Sequence, residues 1–332
     1  MRIPRPVAIA LWPLSQVYGR CVSFRKWMYR SGWLKVRRLK ATVISVGNLT
    51  TGGTGKTPMV LWLAERLLAE GKTVAILSRG YRGSAGTSDE MEMLRQRLHD
   101  RVRFGVGPNR YASGCRLESE QRVDVFLLDD GFQHLQLARD VDIVMLDGSR
   151  KLVDEWLLPA GLLREPLDAC ERADILIVSR RLERPSWDGR FADRSCLFYA
   201  QTRLVGFRRF EADGGPLHVT EIGSGPFLAF CGIGNPEAFF ADLQQWQVPI
   251  VHGQAFADHH RYSQGDVRRL QVEAERWKAA GLVTTEKDAA NLPAAAFRLP
   301  VWVAVIDFVF SAEGELLTAI DRVLQTRRGA AA

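Results

Sequence analysis

An apolar, β-branched run at 41–46 leads into Gly47-Asn48-Leu49-Thr50-Thr51-Gly52-Gly53-Thr54-Gly55-Lys56-Thr57-Pro58, and helical spacing begins at once. A strand, a glycine-rich wrap and a helix in that order confine the chain to few folds. The glycines let the backbone turn so that several N–H groups point at one anion at the helix start, where the helix dipole is positive. Lys56 can reach outer phosphates, and the Thr57 hydroxyl can ligand Mg²⁺. Thr51, Gly52, Gly53, Thr54, Gly55, Lys56, Thr57 and Pro58 are therefore the expected binding loop for a nucleoside triphosphate. In one respect the loop departs from the general pattern, which has glycine where Thr50 stands.

Beyond the loop, short apolar runs at 73–78, 102–106, 123–128, 141–146 and 174–179 read as further strands buried on both faces. Helical patterns at 58–70 and 108–119 lie between them, the rhythm of a parallel sheet. The run at 123–128 ends in Asp129-Asp130-Gly131-Phe132-Gln133-His134. A carboxylate at the C-terminal end of a parallel strand sits where open α/β sheets bind ligands, and in phosphate-loop enzymes it holds magnesium. Two adjacent aspartates cannot both point at one metal, so Asp129 and Asp130 are both candidates and one of them is a supporting residue. His134 by itself reads as a hydrogen-bonded structural histidine.

The rhythm breaks over the polar stretch 180–193. Strand material at 197–211 and a turn at Asp213-Gly214-Gly215 leading into 217–219 then read as a β-linker. A second α/β set follows: strands at 227–231, 248–251, 282–285 and 301–306, with helices at 236–245, 264–280 and 313–326. The expected architecture is α/β, a P-loop NTPase-like parallel-sheet domain flanked by helices, joined by a β-linker to a smaller C-terminal α/β domain. The expected limits are a basic segment at 1–40, a kinase domain at 41–195, a two-stranded linker at 196–220 and the smaller domain at 221–332.

Charge is unevenly placed. Residues 1–40 hold ten Lys or Arg and no Asp or Glu, a charge of +10 against +7 for the whole chain, so the other 292 residues sum to −3. A nucleic-acid-dependent ATPase would spread basic charge around its nucleotide cleft, and this body is slightly acidic; no nucleic-acid partner is expected. The apolar run at 7–12 is far shorter than the roughly 20 residues of a spanning helix. Basic residues continue past it, unlike a cleaved secretory signal. Pro13 is placed to open a helix, with Leu14, Val17, Tyr18, Cys21, Phe24 and Met28 at helical spacing and Trp12, Trp27 and Trp33 among the cations. That composition suits a helix lying in a lipid interface; packing on its own domain is the plainer alternative. Five cysteines without paired spacing point to a reducing compartment.

With these residues in view the chain resembles the tetraacyldisaccharide 4'-kinases of lipid A biosynthesis over nearly its whole length. The matching segments are 46–58, Ser78-Arg79-Gly80-Tyr81, 129–134, Leu158-Pro159-Ala160-Gly161, Leu163-Arg164-Glu165-Pro166, Cys231-Gly232-Ile233-Gly234-Asn235-Pro236, Asp258-His259-His260-Arg261-Tyr262 and Thr284-Thr285-Glu286-Lys287-Asp288. The family's loop carries the same Thr50 form. The resemblance implies transfer of the ATP γ-phosphate, with Mg²⁺, to the 4'-hydroxyl of a tetraacylated glucosamine disaccharide 1-phosphate. It also implies a peripheral place on the cytoplasmic face of the bacterial inner membrane, docked through the N-terminal segment. The family's catalytic carboxylate matches Asp89, although Ser88 and Met91 replace its usual Gly and Pro neighbours. Its partner matches His259, across the domain cleft. Glu165 matches a further acidic site residue, and Arg79 is placed to neutralise substrate or phosphate charge. Two rivals remain at this level: a P-loop ligase of cofactor biosynthesis, whose core sheet would read the same, and a nucleotide switch. For a guanine switch, Thr285-Glu286-Lys287-Asp288 has the wrong residue order.

Overall fold

The computed structural model describes residues 4–80, 89–149, 151–152, 155–183, 191, 194, 196–212, 214–223, 225–293 and 297–331. These fall into two compact units, the larger drawn from 2–87, 97–202 and 308–332 and the smaller from 88–96 and 203–307.

The larger unit begins with helix α1 (Arg5–Arg30) and continues through β1 (Thr42–Asn48), α2 (Lys56–Ala69), β2 (Val74–Ser78), β3 (Arg103–Val106), α4 (Arg110–Glu120), β4 (Val125–Asp129), β5 (Val141–Asp147) and β6 (Ile175–Ser179). It includes the first part of β7 (Leu197–Arg209) and closes with α8 (Glu313–Ala331). Its strands run in the order β3-β2-β4-β1-β5-β6-β7, every pair parallel. Helices cover such sheets on both faces, which is why β2, β4, β5 and β6 are buried at every position and read as unbroken apolar runs. Central strand β1 lies between β4 and β5, and Val46 is in register with Asp129. The chain therefore leaves β1 and β4 side by side at their C-terminal ends, where open α/β sheets bind ligands.

The smaller unit takes most of α3 (Asp89–Leu98), then β8 (Phe227–Cys231), α5 (Pro236–Gln245), β9 (Ile250–Ala255), α6 (Gln264–Arg276), β10 (Gly281–Thr285), the short α7 (Glu286–Ala289) and β11 (Val301–Phe310) as far as residue 307. Its strand order is β11-β10-β8-β9, again parallel. Alternation along β8 serves two cores: Phe227, Ala229 and Cys231 join Phe239, Leu243 and Trp302, while Leu228 and Phe230 join Tyr262, Leu270 and Leu282. Helix α6 starts from a capping box in which Ser263 and Asp266 satisfy each other's backbone N–H. It stops at Arg276, short of residue 280, because Lys278 takes a left-handed φ of 52°.

Three expectations change. Pro13 does not open α1; the helix starts at Arg5 with Pro6 in its first turn, and Pro13 lies inside it. The segment from Phe308 onward belongs to the larger unit, where Phe310 packs on Trp62 at 4.6 Å, Glu313 pairs with Arg66 at 2.6 Å and Arg327 pairs with Asp174 at 2.7 Å. Residues 89–96, placed by sequence in the kinase domain, belong to the smaller unit. Over the stretch read as a linker, β7 is followed by an antiparallel bridge in which Phe207 and Leu217 exchange two backbone bonds of 2.8 Å. Asp213 of its expected turn and Tyr81 of the Ser-Arg-Gly-Tyr segment lie outside the described residues.

Candidate active site

The loop after β1 is held from several sides. The Asn48 side-chain amide donates to Thr54 Oγ1 at 2.9 Å, the Gln133 amide donates to the Asn48 carbonyl at 2.9 Å, and the Thr51 N–H donates to the Leu162 carbonyl at 2.8 Å. Thr50 is buried and bridges Leu163, which accounts for a residue other than glycine at that point. Gly55 precedes α2 with φ 86°, and a Cβ there would come within 2.9 Å of the Phe308 ring. Both facts demand glycine. No side chain caps the start of α2, so first-turn N–H groups beside Lys56 and Thr57 are available to a phosphate.

Asp129 is buried at the end of β4, and its backbone carbonyl accepts from the Arg110 guanidinium at 3.1 Å. Asp130 takes a left-handed φ of 50°. Both oxygens accept from Arg164 Nη1, at 2.9 and 2.8 Å, and Lys56 Nζ lies 3.6 Å from Oδ1. Burial favours the neutral acid, but Lys56 and Arg164 outweigh it and hold Asp130 below the usual carboxylate range. His134 is pushed down to about 4, by burial first and then by Arg110 and Arg139, so it is neutral at pH 7. For Mg²⁺ the donor set fits. Thr57 and the aspartates offer hard oxygens, and Mg²⁺ usually takes only one or two protein carboxylates beside phosphate and water.

Glu165, a candidate acid from sequence, is 4% exposed, with both oxygens taken by Arg172 at 2.7 Å. Arg172 also donates to the Phe132 carbonyl at 3.0 Å and lies 3.6 Å above that ring. The pair therefore clamps the Asp-Asp-Gly-Phe turn to the segment carrying Arg164. Glu165→Ala would leave a half-buried guanidinium without its carboxylate. It is expected to destabilise the fold by about 3 kcal/mol, read as a lower thermal midpoint. Lost turnover with an unchanged midpoint would instead put the carboxylate at the reaction. Arg79 stands exposed just after β2.

Asp89 opens α3, and His259 follows β9 in the smaller unit. Although 170 residues separate them, His259 Nδ1 is 2.9 Å from Asp89 Oδ2. Sequence placed these residues in different domains; they share one unit. His259 has φ 60°, and its N–H donates to the Gly232 carbonyl at 3.0 Å. A Cβ on Gly232 would fall 2.9 Å from the Ala257 oxygen and from His260 Cβ, so only glycine lets this turn close on β8. Burial of Asp89 opposes its charge, but bonds from His259 and Asn291 hold its carboxyl below the ordinary value. His259 is held above its own, chiefly by the bond to Asp89 and against burial. An ionised carboxylate can only accept, so Nδ1 carries the hydrogen and Nε2 is the nitrogen that titrates.

Sequence reasoning passed over four side chains that this geometry brings in: Arg164 on Asp130, Asn291 on Asp89, and Glu90 and Lys287 beside His259. Arg164 and Lys287 stood inside recognised motifs. Asn291 carried no local signal, because its role depends on packing between distant segments.

Helix α1 presents an unusual pair of faces. Ala8, Ser15 and Gly19 are its buried residues; Ser15 Oγ donates to the Leu157 carbonyl at 2.9 Å, and Tyr18 donates to the Arg164 carbonyl at 2.9 Å. Val7, Ile9, Trp12, Leu14, Val17, Phe24 and Trp27 are exposed. Small and polar residues thus make the buried contacts, while most of the large apolar ones face out and Leu11, Val22 and Met28 are half-buried. Among the described residues no helix is long and apolar enough to cross a membrane.

A parallel sheet whose central strand runs through a glycine loop into Lys56-Thr57, beside an aspartate-bearing strand, defines a P-loop nucleotide-binding protein. The family model for tetraacyldisaccharide-1-P 4'-kinase matches residues 7–325. Tetraacyldisaccharide 4'-kinases of Geobacter metallireducens and Geobacter sulfurreducens are each 38% identical to this chain, covering 97% and 93% of it and 100% and 91% of their own lengths. The crystal structure of LpxK from Aquifex aeolicus in complex with ATP superposes with a TM-score of 0.75 at 28% identity, over 96% of this chain and 99% of that one. The chain belongs to the tetraacyldisaccharide 4'-kinase family and is an ATP-dependent kinase of lipid A biosynthesis.

Proposed function

We propose that this kinase moves the γ-phosphoryl group of ATP to the 4'-hydroxyl of a tetraacylated glucosamine disaccharide 1-phosphate at the cytoplasmic face of the inner membrane, with Asp89 as proton acceptor. The observation that carries the catalytic assignment is the 2.9 Å contact between His259 and Asp89. A sugar hydroxyl is a weak nucleophile, and phosphoryl transfer asks mainly for positioning and charge compensation. Residues 51–58 bind the triphosphate, with Lys56 on its outer oxygens. Thr57 and an aspartate of the 129/130 pair would hold Mg²⁺, which would supply charge neutralisation for the phosphates. Asp130 reaches that site held by Arg164 and Lys56, and Asp129 reaches it from the buried end of β4. His259 donates through Nδ1 to Asp89 Oδ2 and so orients the carboxylate that takes the hydroxyl proton. Transfer of label from γ-³²P-ATP to detergent-dispersed precursor tests the reaction; an unlabelled glycolipid would refute it.

Docking rests on the outward apolar face of α1 and on Arg20, Arg25 and Arg30 among its aromatics, an arrangement suited to an anionic lipid surface. The double variant Val17→Glu, Trp27→Glu is expected to lose at least tenfold in flotation with phosphatidylglycerol vesicles while keeping the native melting temperature. Unchanged flotation would remove this part of the reading.

A further inference from the structure

Three carboxylates face the imidazole of His259. Asp89 takes Nδ1, while Glu90 Oε1 and Asp258 Oδ2 each lie 3.9 Å from Nε2. An imidazole in that field would hold its second proton tightly and stay cationic, and a cationic donor on Asp89 makes the carboxylate a poorer base. Lys287 reaches the same two Nε2-side carboxylates: Nζ is 3.4 Å from Glu90 Oε1 and 3.2 Å from Asp258 Oδ1.

The lysine is aimed by its neighbour. Asp288 is 1% exposed and accepts from the Gly232 N–H at 2.7 Å, the Tyr262 hydroxyl at 2.9 Å and the Thr285 hydroxyl at 2.6 Å. Gly232 is also the residue whose carbonyl accepts the His259 N–H. One buried carboxylate thus ties α7, which carries Lys287, to the turn that carries His259.

We infer that Lys287 is a positioning residue for the Asp89–His259 pair, drawing Glu90 and Asp258 toward itself so that His259 releases its second proton within the working range. The inference rests on the reading of that pair as the proton-accepting group. The charges agree with the distances. Asp89 raises the proton affinity of His259 most, burial and then Lys287 lower it, and Glu90 and Asp258 raise it again. Burial works against the charge on Lys287, but Glu90 and Asp258 hold the lysine protonated.

The test is the pH dependence of kcat/KM for the full chain with dispersed precursor, comparing the native protein with Lys287→Met, Lys287→Gln, Lys287→Arg and His259→Ala. In Met and Gln variants the acid limb is expected to move to higher pH, with at least threefold lower turnover on the limb, near-native turnover on the plateau and an unchanged KM for ATP. Arg restores the native limb. A loss by one factor at every pH, or a limb that does not move, overturns the inference. Histidine ¹⁵N titration reads His259 without turnover: its midpoint should rise in Lys287→Met, and an unmoved midpoint overturns the inference equally. Native activity and profile in His259→Ala would instead sink the pair's catalytic reading, leaving the titration to judge Lys287.

Discussion

Lys56→Ala is expected to lower turnover about 10³-fold, near 4 kcal/mol of transition-state stabilisation, in a protein that still folds. Two consequences of one deletion combine. The substituted loop loses the cation that meets the outer phosphates as charge develops on them. Asp130 loses the strongest of the cations that keep it ionised, leaving Arg164 and the more weakly acting Arg110. The fold should tolerate the change because the loop is anchored elsewhere, through Asn48–Thr54, Gln133–Asn48 and Thr51–Leu162. Steady-state kinetics beside a thermal melt decide it. Native turnover in a folded variant would remove the loop from the reaction.

For Asp89→Asn the expected loss is about 10³-fold in kcat with little change in KM for ATP, since an amide can accept a bond from His259 but cannot take a proton. His259→Ala should likewise damage kcat more than ATP affinity, and the reverse pattern would count against the pair. Acidity supplies a further check, because stability and turnover part company there. Asp89 is depressed in the folded state, so its contribution is complete above its ordinary value of 3.8 and is lost as pH falls through the folded value. His259 is raised, so its contribution is complete below 6.5 and is lost as pH rises through the folded value. The pair therefore stabilises the fold most between 3.8 and 6.5. Turnover should climb as His259 Nε2 loses its proton, on the side where that stabilisation declines. Urea midpoints and kcat/KM measured across the same buffers test this crossing. Parallel rise and fall of the two would be inconsistent with it.

Most of the larger unit was legible because its signals are local. A strand buried on both faces must be apolar throughout, so β2, β4, β5 and β6 announced themselves within a residue or two. Asn235 followed by Pro236 marked the start of α5 for the same reason, since proline suits a helix's first turn. Helix α3 was not read in advance. Its run Asp-Glu-Met-Glu-Met-Leu-Arg-Gln-Arg-Leu is mostly polar, and it follows a glycine- and serine-rich segment. Pro13 misled because it has the residue type of a helix start, while a second proline seven residues earlier serves that role.

Residue types at fixed spacing thus determined, without coordinates, the glycine wrap at 47–58, the acidic pair at 129–130, the strand rhythm and the basic start of the chain. Each depends on neighbours a few positions apart. Only the tertiary structure decided that α8 packs with the nucleotide-binding sheet, that Glu165 is spent on Arg172, that Arg164 and Lys56 share Asp130, and that Asp89 meets His259 within one unit. Those outcomes depend on which distant surfaces bury one another, and burial between remote segments leaves no periodic trace in the chain.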